Sequence, residues 1–155
     1  MVYYLFAMPR EAEHINIDNK FIIGINATNV PETTDDDIII NIGYCGAYKV
    51  PVGTIVEPSV VCCAKSGAVA KVDKIFEYKD IKCFTADDFV TSPIVDDESI
   101  YDMELFKLTQ LPHKRIYSLK IVSDNLNEQD CEQYNDVDAW EKIRKILENY
   151  KNEII

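Results

Sequence analysis

The chain is poor in the features that tie a protein to a membrane, a metal ion or a nucleic acid. No apolar run approaches the roughly 20 residues needed to cross a bilayer. Met1 leads straight into Val2-Tyr3-Tyr4-Leu5-Phe6 with neither a basic stretch nor a small-residue cleavage site, so no secretory leader is expected. Histidine occurs twice, at His14 and His113, and the five cysteines (Cys45, Cys62, Cys63, Cys83, Cys131) show no C-x-x-C spacing. A metal site is therefore not expected, nor is a cofactor. An odd number of cysteines, two of them adjacent, points to free thiols in a reducing compartment, and a cytoplasmic location is expected. Positive charge is also scarce. Sixteen Lys and Arg stand against 27 Asp and Glu, a formal net charge of −11. Such a balance repels phosphate backbones and anionic lipid, so nucleic-acid and membrane partners are not expected.

What is present suits one globular domain spanning residues 1–155. Apolar residues make up 47% and charged residues 28% of the chain, ordinary values for a single packed core. Short β-prone runs alternate with helical patterns. Val2 to Ala7 reads as a first strand, broken by Met8-Pro9-Arg10-Glu11, where proline suits a first helical turn and the acid suits its positive end. Phe21 to Asn26 reads as a short strand, and Ala27 to Asp37 as an acidic connection. Ile38 to Ala47 is the strongest strand; its nearly continuous apolar character predicts burial on both faces. Val50 to Pro58 reads as a turn and strand, Ala64 to Lys74 as a loop, and Glu77 to Phe84 as a strand. Asp97 to Gln110 reads as a helix, with Ile100, Met103 and Phe106 on one face. Val137, Trp140, Ile143, Ile146, Leu147 and Tyr150 mark a C-terminal helix capped by Asn135 or Asp136. The expected architecture is three-layer α/β, with a mixed, mostly parallel sheet that contains Leu5, Ile39, Ile55, Phe84 and Leu119.

The last strand, Ile116 to Val122, ends abruptly in Ser123, Asp124 and Asn125. In an open α/β sheet ligands bind beyond the carboxyl ends of the strands. A carboxylate there is a site candidate, although Ser123 or Asp124 can equally cap a following helix. Other strand ends carry Glu11, the Gly43-Tyr44-Cys45-Gly46 turn and Asp87-Asp88-Phe89, while Met103-Glu104 lies on the predicted middle helix.

Seven segments, Ala7-Met8 with Glu11, Gly24-Ile25, Asn41-Ile42-Gly43-Tyr44-Cys45-Gly46, Val52-Gly53-Thr54-Ile55-Val56, Ala86-Asp87-Asp88-Phe89-Val90, Met103-Glu104 and Val122-Ser123-Asp124, resemble in order the nucleoside phosphorylase and nucleosidase superfamily. The likeness is strongest to its methylthioadenosine/S-adenosylhomocysteine nucleosidase branch. The resemblance implies a phosphorylase/hydrolase-like fold in a shortened form, a small-molecule nucleoside substrate and a homodimer. It implies hydrolysis of an N-glycosidic bond, with Asp124 as the acid that protonates the departing purine and Glu11 as the group that activates water. Glu104 would bind the ribose hydroxyls, Met103 would pack on the sugar, Phe89 would stack on the base and Ser123 would position Asp124. Gly43, Tyr44 and Val90 would complete the substrate envelope. Tyr44 stands where relatives commonly have a small serine, and Lys120 where an arginine is frequent. Phosphorolysis is the alternative. It is disfavoured because only Arg10, Arg115 and Arg144 are available and Asn41 replaces an arginine common in phosphorylases. A third possibility is a catalytically weak nucleoside-binding protein.

Overall fold

The computed structural model describes all 155 residues. Its elements run β1 (Val2–Phe6), α1 (Pro9–Ala12), β2 (Lys20–Ile22), β3 (Ile38–Tyr48), β4 (Ile55–Val56), β5 (Val60–Cys63), β6 (Val69–Lys71), β7 (Lys82–Thr85), β8 (Ser99–Asp102), α2 (Leu105–Thr109), β9 (Arg115–Asp124), α3 (Glu128–Gln133), α4 (Val137–Asn149) and α5 (Lys151–Ile154). One nine-stranded sheet follows the order β2-β1-β3-β8-β7-β5-β6, with β9 paired to β3 and β4. Pairings β1·β2, β1·β3, β3·β9, β5·β7 and β7·β8 are parallel, and β3·β8, β4·β9 and β5·β6 are antiparallel. Leu5, Ile39, Ile55, Phe84 and Leu119 all lie in this mixed, mostly parallel sheet, as expected.

The long strands β3 and β9 organise the molecule. Side chains alternate faces along a strand, and here the alternation divides the core in two. Ile38, Ile40, Ile42 and Tyr44 join Tyr117, Leu119 and Ile121 in one cluster, covered by Ala139, Trp140, Ile143 and Leu147 of α4. Ile39, Cys45 and Ala47 join Ile116 and Val122 in the other, covered by Leu105 and Leu108 of α2. Burial on both faces explains why ten of the eleven residues of β3 are buried. Helix α4 begins where its cap predicts, with the Asp136 carboxylate accepting from the Ala139 amide at 3.0 Å.

Five local expectations need correction. Gly43-Tyr44-Cys45-Gly46 is not a turn: it lies within β3, where Tyr44 pairs with Ile121 and Cys45 with Val122. Residues 97–110 are not one helix: Ser99–Asp102 is a fully buried strand between β3 and β7, and only Leu105–Thr109 is helical. The spacing of Ile100, Met103 and Phe106 mimics a helix, but sheet pairing on both edges outweighs that weak local preference. The 64–74 segment holds a short strand rather than a loop alone, since Val69–Lys71 closes a hairpin on β5. The strand expected from Glu77 starts at Lys82. Upstream of it the chain turns, with Glu77 at φ 64° and the amides of Ile75, Phe76 and Tyr78 all donating to the buried Glu57 carboxylate. The strand expected at 21–26 ends at Ile22, and Ile25–Ala27 forms a single 3₁₀ turn.

Candidate active site

A cavity of about 330 Å³ opens beyond the carboxyl end of β1, against Tyr44, Cys45 and Gly46 of β3. Five of the residues singled out in the sequence line it: Glu11, Tyr44, Phe89, Met103 and Glu104. Val90 lines a small adjoining recess with Phe89 and Met103. Gly43, Ser123 and Asp124 stand behind the wall.

Glu11 reaches the cavity from α1, a single turn forced by Pro9. It is only 1% exposed, and both carboxylate oxygens are held: Oε1 accepts from the Met8 amide at 3.0 Å and Oε2 from the Tyr44 amide at 2.7 Å. Burial pushes its pKa up, against the opposing pull of the Tyr44 amide, the Lys120 ammonium, the Met8 amide and Arg10. The absent side chain of Gly43 makes room for it, because a Cβ there would lie 2.6 Å from Glu11 Oε2.

Glu104 sits at the N-cap of α2, not within a helix. As expected it faces inward, 7% exposed. Oε2 accepts from the amide of Asn26, a residue at φ 68°. Burial, then the Asp102 carboxylate, push its pKa up to about 7.

Asp124 occupies the last position of β9. A register shift between Cys45 and Gly46 pairs Gly46 with Asp124 after pairing Cys45 with Val122, leaving Ser123 as the extra residue. Such a bulge re-aims the side chains that follow it. The Asp124 carboxylate is 1% exposed. Oδ1 accepts from the Ser123 hydroxyl at 2.7 Å, and Oδ2 from the Leu126 and Asn127 amides at 3.0 and 3.1 Å. Asp124 thus closes a turn, while the cap of α3 is Asn127. Burial raises its pKa in spite of those donors. Gly46 and Cys131 line the cavity and border the Ser123-Asp124 pair: a Cβ on Gly46 would lie 3.1 Å from Asp124 Oδ2, and Cys131 Sγ lies 3.5 Å from Ser123 Oγ.

Two groups escaped the sequence reading. Asp102 lines the cavity floor and pairs with the wholly buried Lys120 at 3.2 Å. Its other oxygen accepts from Thr85 Oγ1 at 2.5 Å, while Oδ2 also takes the Leu105 amide at 2.8 Å. Burial disfavours the Lys120 charge, but Asp102 and then Glu104 more than offset this and raise its pKa. Asp-Met-Glu at 102–104 places two acids on one turn, which is the signal that a helical assignment hid. The second is Arg10. Its guanidinium donates to the carbonyls of Tyr134 and Cys131 at 3.1 and 3.0 Å and lies 4.9 Å from the centre of the Tyr44 ring. Tyr44 Oη in turn accepts from Trp140 Nε1 at 2.8 Å.

A wider groove of about 890 Å³ runs between the 15–19 loop and the C-terminal helices. Its charged side chains, Asp18, Arg144, Glu148 and Lys151, are exposed, and burial raises only the pKa of the Tyr4 phenol. It therefore lacks the desolvated carboxylic acids that mark the smaller cavity.

No family model and no curated protein sequence matches the chain. Solved structures do. A Chlamydia trachomatis MTAN bound to MTA superposes with a TM-score of 0.75 at 16% identity, over 99% of this chain and 98% of that one. The fold is that of the methylthioadenosine/S-adenosylhomocysteine nucleosidases. The Arabidopsis thaliana 5′-methylthioadenosine nucleosidase in its apo form gives 0.69 at 16% identity, over 99% and 95% of the two chains. A Helicobacter pylori MTAN variant, with 5′-methylthioadenosine in its active site, gives 0.68 at 12% identity over 98% of each. The MTAN fold thus accounts for nearly every residue. No helix in the molecule is long and apolar enough to cross a membrane.

Proposed function

We propose that the protein hydrolyses the N-glycosidic bond of a purine nucleoside, with 5′-methylthioadenosine and S-adenosylhomocysteine as the first candidates. The observation that carries this reading is a desolvated, doubly anchored Glu11 facing the same cavity as Glu104, Met103 and Phe89, with Asp124 one residue behind the wall at the end of β9.

In the proposed reaction the purine departs from an oxocarbenium-like sugar and needs a proton as it leaves. Asp124 in its protonated form supplies that proton to the purine N7 as the C1′–N9 bond breaks. Burial favours the form that has a proton to give. Water adds to C1′ and passes its proton to Glu11, whose two backbone donors fix the carboxylate in place. The products are the free base and the free sugar. Glu104 accepts hydrogen bonds from the ribose hydroxyls. Met103 packs on the sugar, and Phe89 presents an aromatic face to the base. Asp124 reaches the purine only if the Leu126–Asn127 turn or Gly46 yields, so nucleoside binding and a shift of that turn belong to one step.

Water is favoured over phosphate as the acceptor. Asn41 is buried and committed to the Leu5 carbonyl and to Ser118. The guanidinium of Arg10 is committed to two carbonyls, so no free arginine faces the cavity to grip an anion in two-pronged fashion. The enclosure of Asp124 favours a second reading, a protein that binds nucleosides and turns them over feebly. Incubation with a purine nucleoside panel, with and without phosphate, separates the readings. Phosphate-independent release of free base is expected. Release that requires phosphate would replace hydrolysis with phosphorolysis, and binding without release would leave the weak binder.

A further inference from the structure

The connection between β7 and β8, residues 86–98, carries Phe89 to the cavity and Val90 to the adjoining recess, yet it has little structure of its own. None of its residues is buried, and residues 87–97 make no backbone–backbone hydrogen bond. Three ion pairs tie it at the surface, Asp87 with Lys107, Asp96 with Lys49 and Glu98 with Lys79, and the Tyr48 hydroxyl also donates to Asp96. Exposed ties of this kind are worth little. Beyond Ala86, whose amide donates to the Asp102 carbonyl, the tie made by buried side chains comes from Tyr101 and Ser99 of β8. The Ile94 amide donates to Tyr101 Oη at 2.9 Å, Tyr101 Oη lies 2.8 Å from Ser99 Oγ, and Ser99 Oγ donates to the Asp97 carbonyl at 3.1 Å. Because the serine proton is committed to Asp97, the phenol proton points to the serine and the phenol oxygen accepts from Ile94. Both ends of this chain of hydrogen bonds lie in the same connection.

We propose that Tyr101 is a positioning residue for the purine base: its hydroxyl pins the 86–98 connection at Ile94 and so holds Phe89 and Val90 in place beside the base. The inference rests on the nucleosidase reading for the nature of the ligand, and deepens it by naming what prepares the base subsite. The sheet sets Tyr101 up for this. Its neighbours in register are Phe84 on β7 and Gly46 on β3. The ring stacks on Phe84, with centroids 5.6 Å apart and planes at 17°, while Gly46 sets no side chain against it, and Tyr101 lines both the cavity and the recess. One side chain therefore forms part of the wall and, through its far end, tethers the segment that brings the aromatic ring of Phe89. A connection without its own backbone hydrogen bonds samples other positions once its buried tie is lost. A ligand then binds only the fraction still in place, which raises the apparent dissociation constant in inverse proportion. The effect falls on binding, since Glu11, Glu104 and Asp124 stand on other segments.

Tyr101→Phe keeps the ring and its stack on Phe84 and removes only the tie. With 5′-methylthioadenosine as substrate, KM should rise by about three- to tenfold, the equilibrium worth of one buried hydrogen bond, with kcat within about twofold of wild type. The calorimetric Kd of free adenine, which lacks the sugar, should rise by the same factor, and the Ile94 amide should exchange with deuterium faster in the ligand-free variant. Ser99→Ala cuts the chain one link further on and should move all three readings in the same direction by less. Tyr48→Phe is the control: it releases the exposed tie to Asp96 and should leave KM and Kd at wild type. Unchanged KM and adenine Kd in both β8 variants overturn the inference, as does a loss confined to kcat, or an equal loss in Tyr48→Phe. Any of these in a protein that releases adenine leaves the nucleosidase reading standing. Weaker adenine binding by Tyr101→Phe in a protein that cleaves no nucleoside does the reverse, and a wild type that neither binds adenine nor cleaves a nucleoside sinks both.

Discussion

Glu11 and Gly43 interlock: the carboxylate of one fills the volume that a side chain on the other would need, with Oε2 only 2.6 Å from the position of a Cβ. The contact cannot relax cheaply, because the Tyr44 and Met8 amides grip both oxygens in a dry setting. Gly43→Ala should therefore push Glu11 off its donors. Destabilisation of about 1–3 kcal/mol, typical of overpacking, should accompany a loss of base release far larger than that cost explains. Thermal unfolding and adenine release on the same variant decide this. A wild-type midpoint with wild-type turnover would mean that Glu11 is not held where the mechanism needs it.

Asp124→Asn should keep the fold and remove the transferable proton. Asparagine retains one acceptor oxygen for the Leu126 and Asn127 amides and serves a turn nearly as well as aspartate. The rate should drop by about 10²–10⁴-fold, the usual worth of general acid catalysis, with the loss in kcat rather than KM. Unchanged turnover in an enzyme shown to be active would reduce Asp124 to a turn residue.

Glu104 should make the protein less stable as the pH rises through neutrality. Its folded pKa, about 7, lies above the ordinary value of 4.5. The folded state thus binds the proton more tightly, and the stabilisation this gives is complete below about pH 4.5 and lost as the pH climbs to 7. Burial of Glu11 and Asp124 acts in the same direction. Glu104→Gln keeps the acceptor for Asn26 and removes the titration. The variant should gain about 1–3 kcal/mol relative to wild type at pH 8 while differing little at pH 4.5. Chemical denaturation at the two pH values measures it; equal differences at both would show that Glu104 does not titrate in this window.

Lys120→Met should be among the most damaging single substitutions. It strands Asp102 in the interior without its cation, and breaking a buried pair from one side costs about 3–5 kcal/mol. Asp102→Asn introduced together with Lys120→Met removes the orphaned charge and should recover a large part of that loss. A denaturant double-mutant cycle supplies the coupling, and purely additive effects would mean that the ion pair contributes nothing.

Much of the fold follows from patterns that act over short spans. The apolar runs of β1, β3 and β9, the Asp136 cap and the apolar stripe of α4 were all legible, because strand and helix periods and cap chemistry are local properties. The Asp97 to Gln110 segment was not. Ser99–Asp102 becomes a strand because β3 and β7 offer it two edges, and Asp102 tolerates burial because Lys120 lies beside it. Both partners are far away in sequence.

The same division holds for the site. The residue types were readable one by one: acids after Pro9 and at the end of β9, two glycines near the end of the strongest strand, Glu104 after Met103, and an aromatic after Asp87-Asp88. Chemistry at strand ends is a local signal that the architecture of an open sheet makes interpretable. Their relations were not readable. That Gly43 is absent volume for Glu11, that a bulge at Ser123 turns Asp124 behind Gly46, and that Arg10 is spent on α3 all depend on chain crossings brought together by burial. Periodicity fixes which way a side chain leaves its own strand. Only packing decides what it meets there, and with that its charge, its pKa and its use.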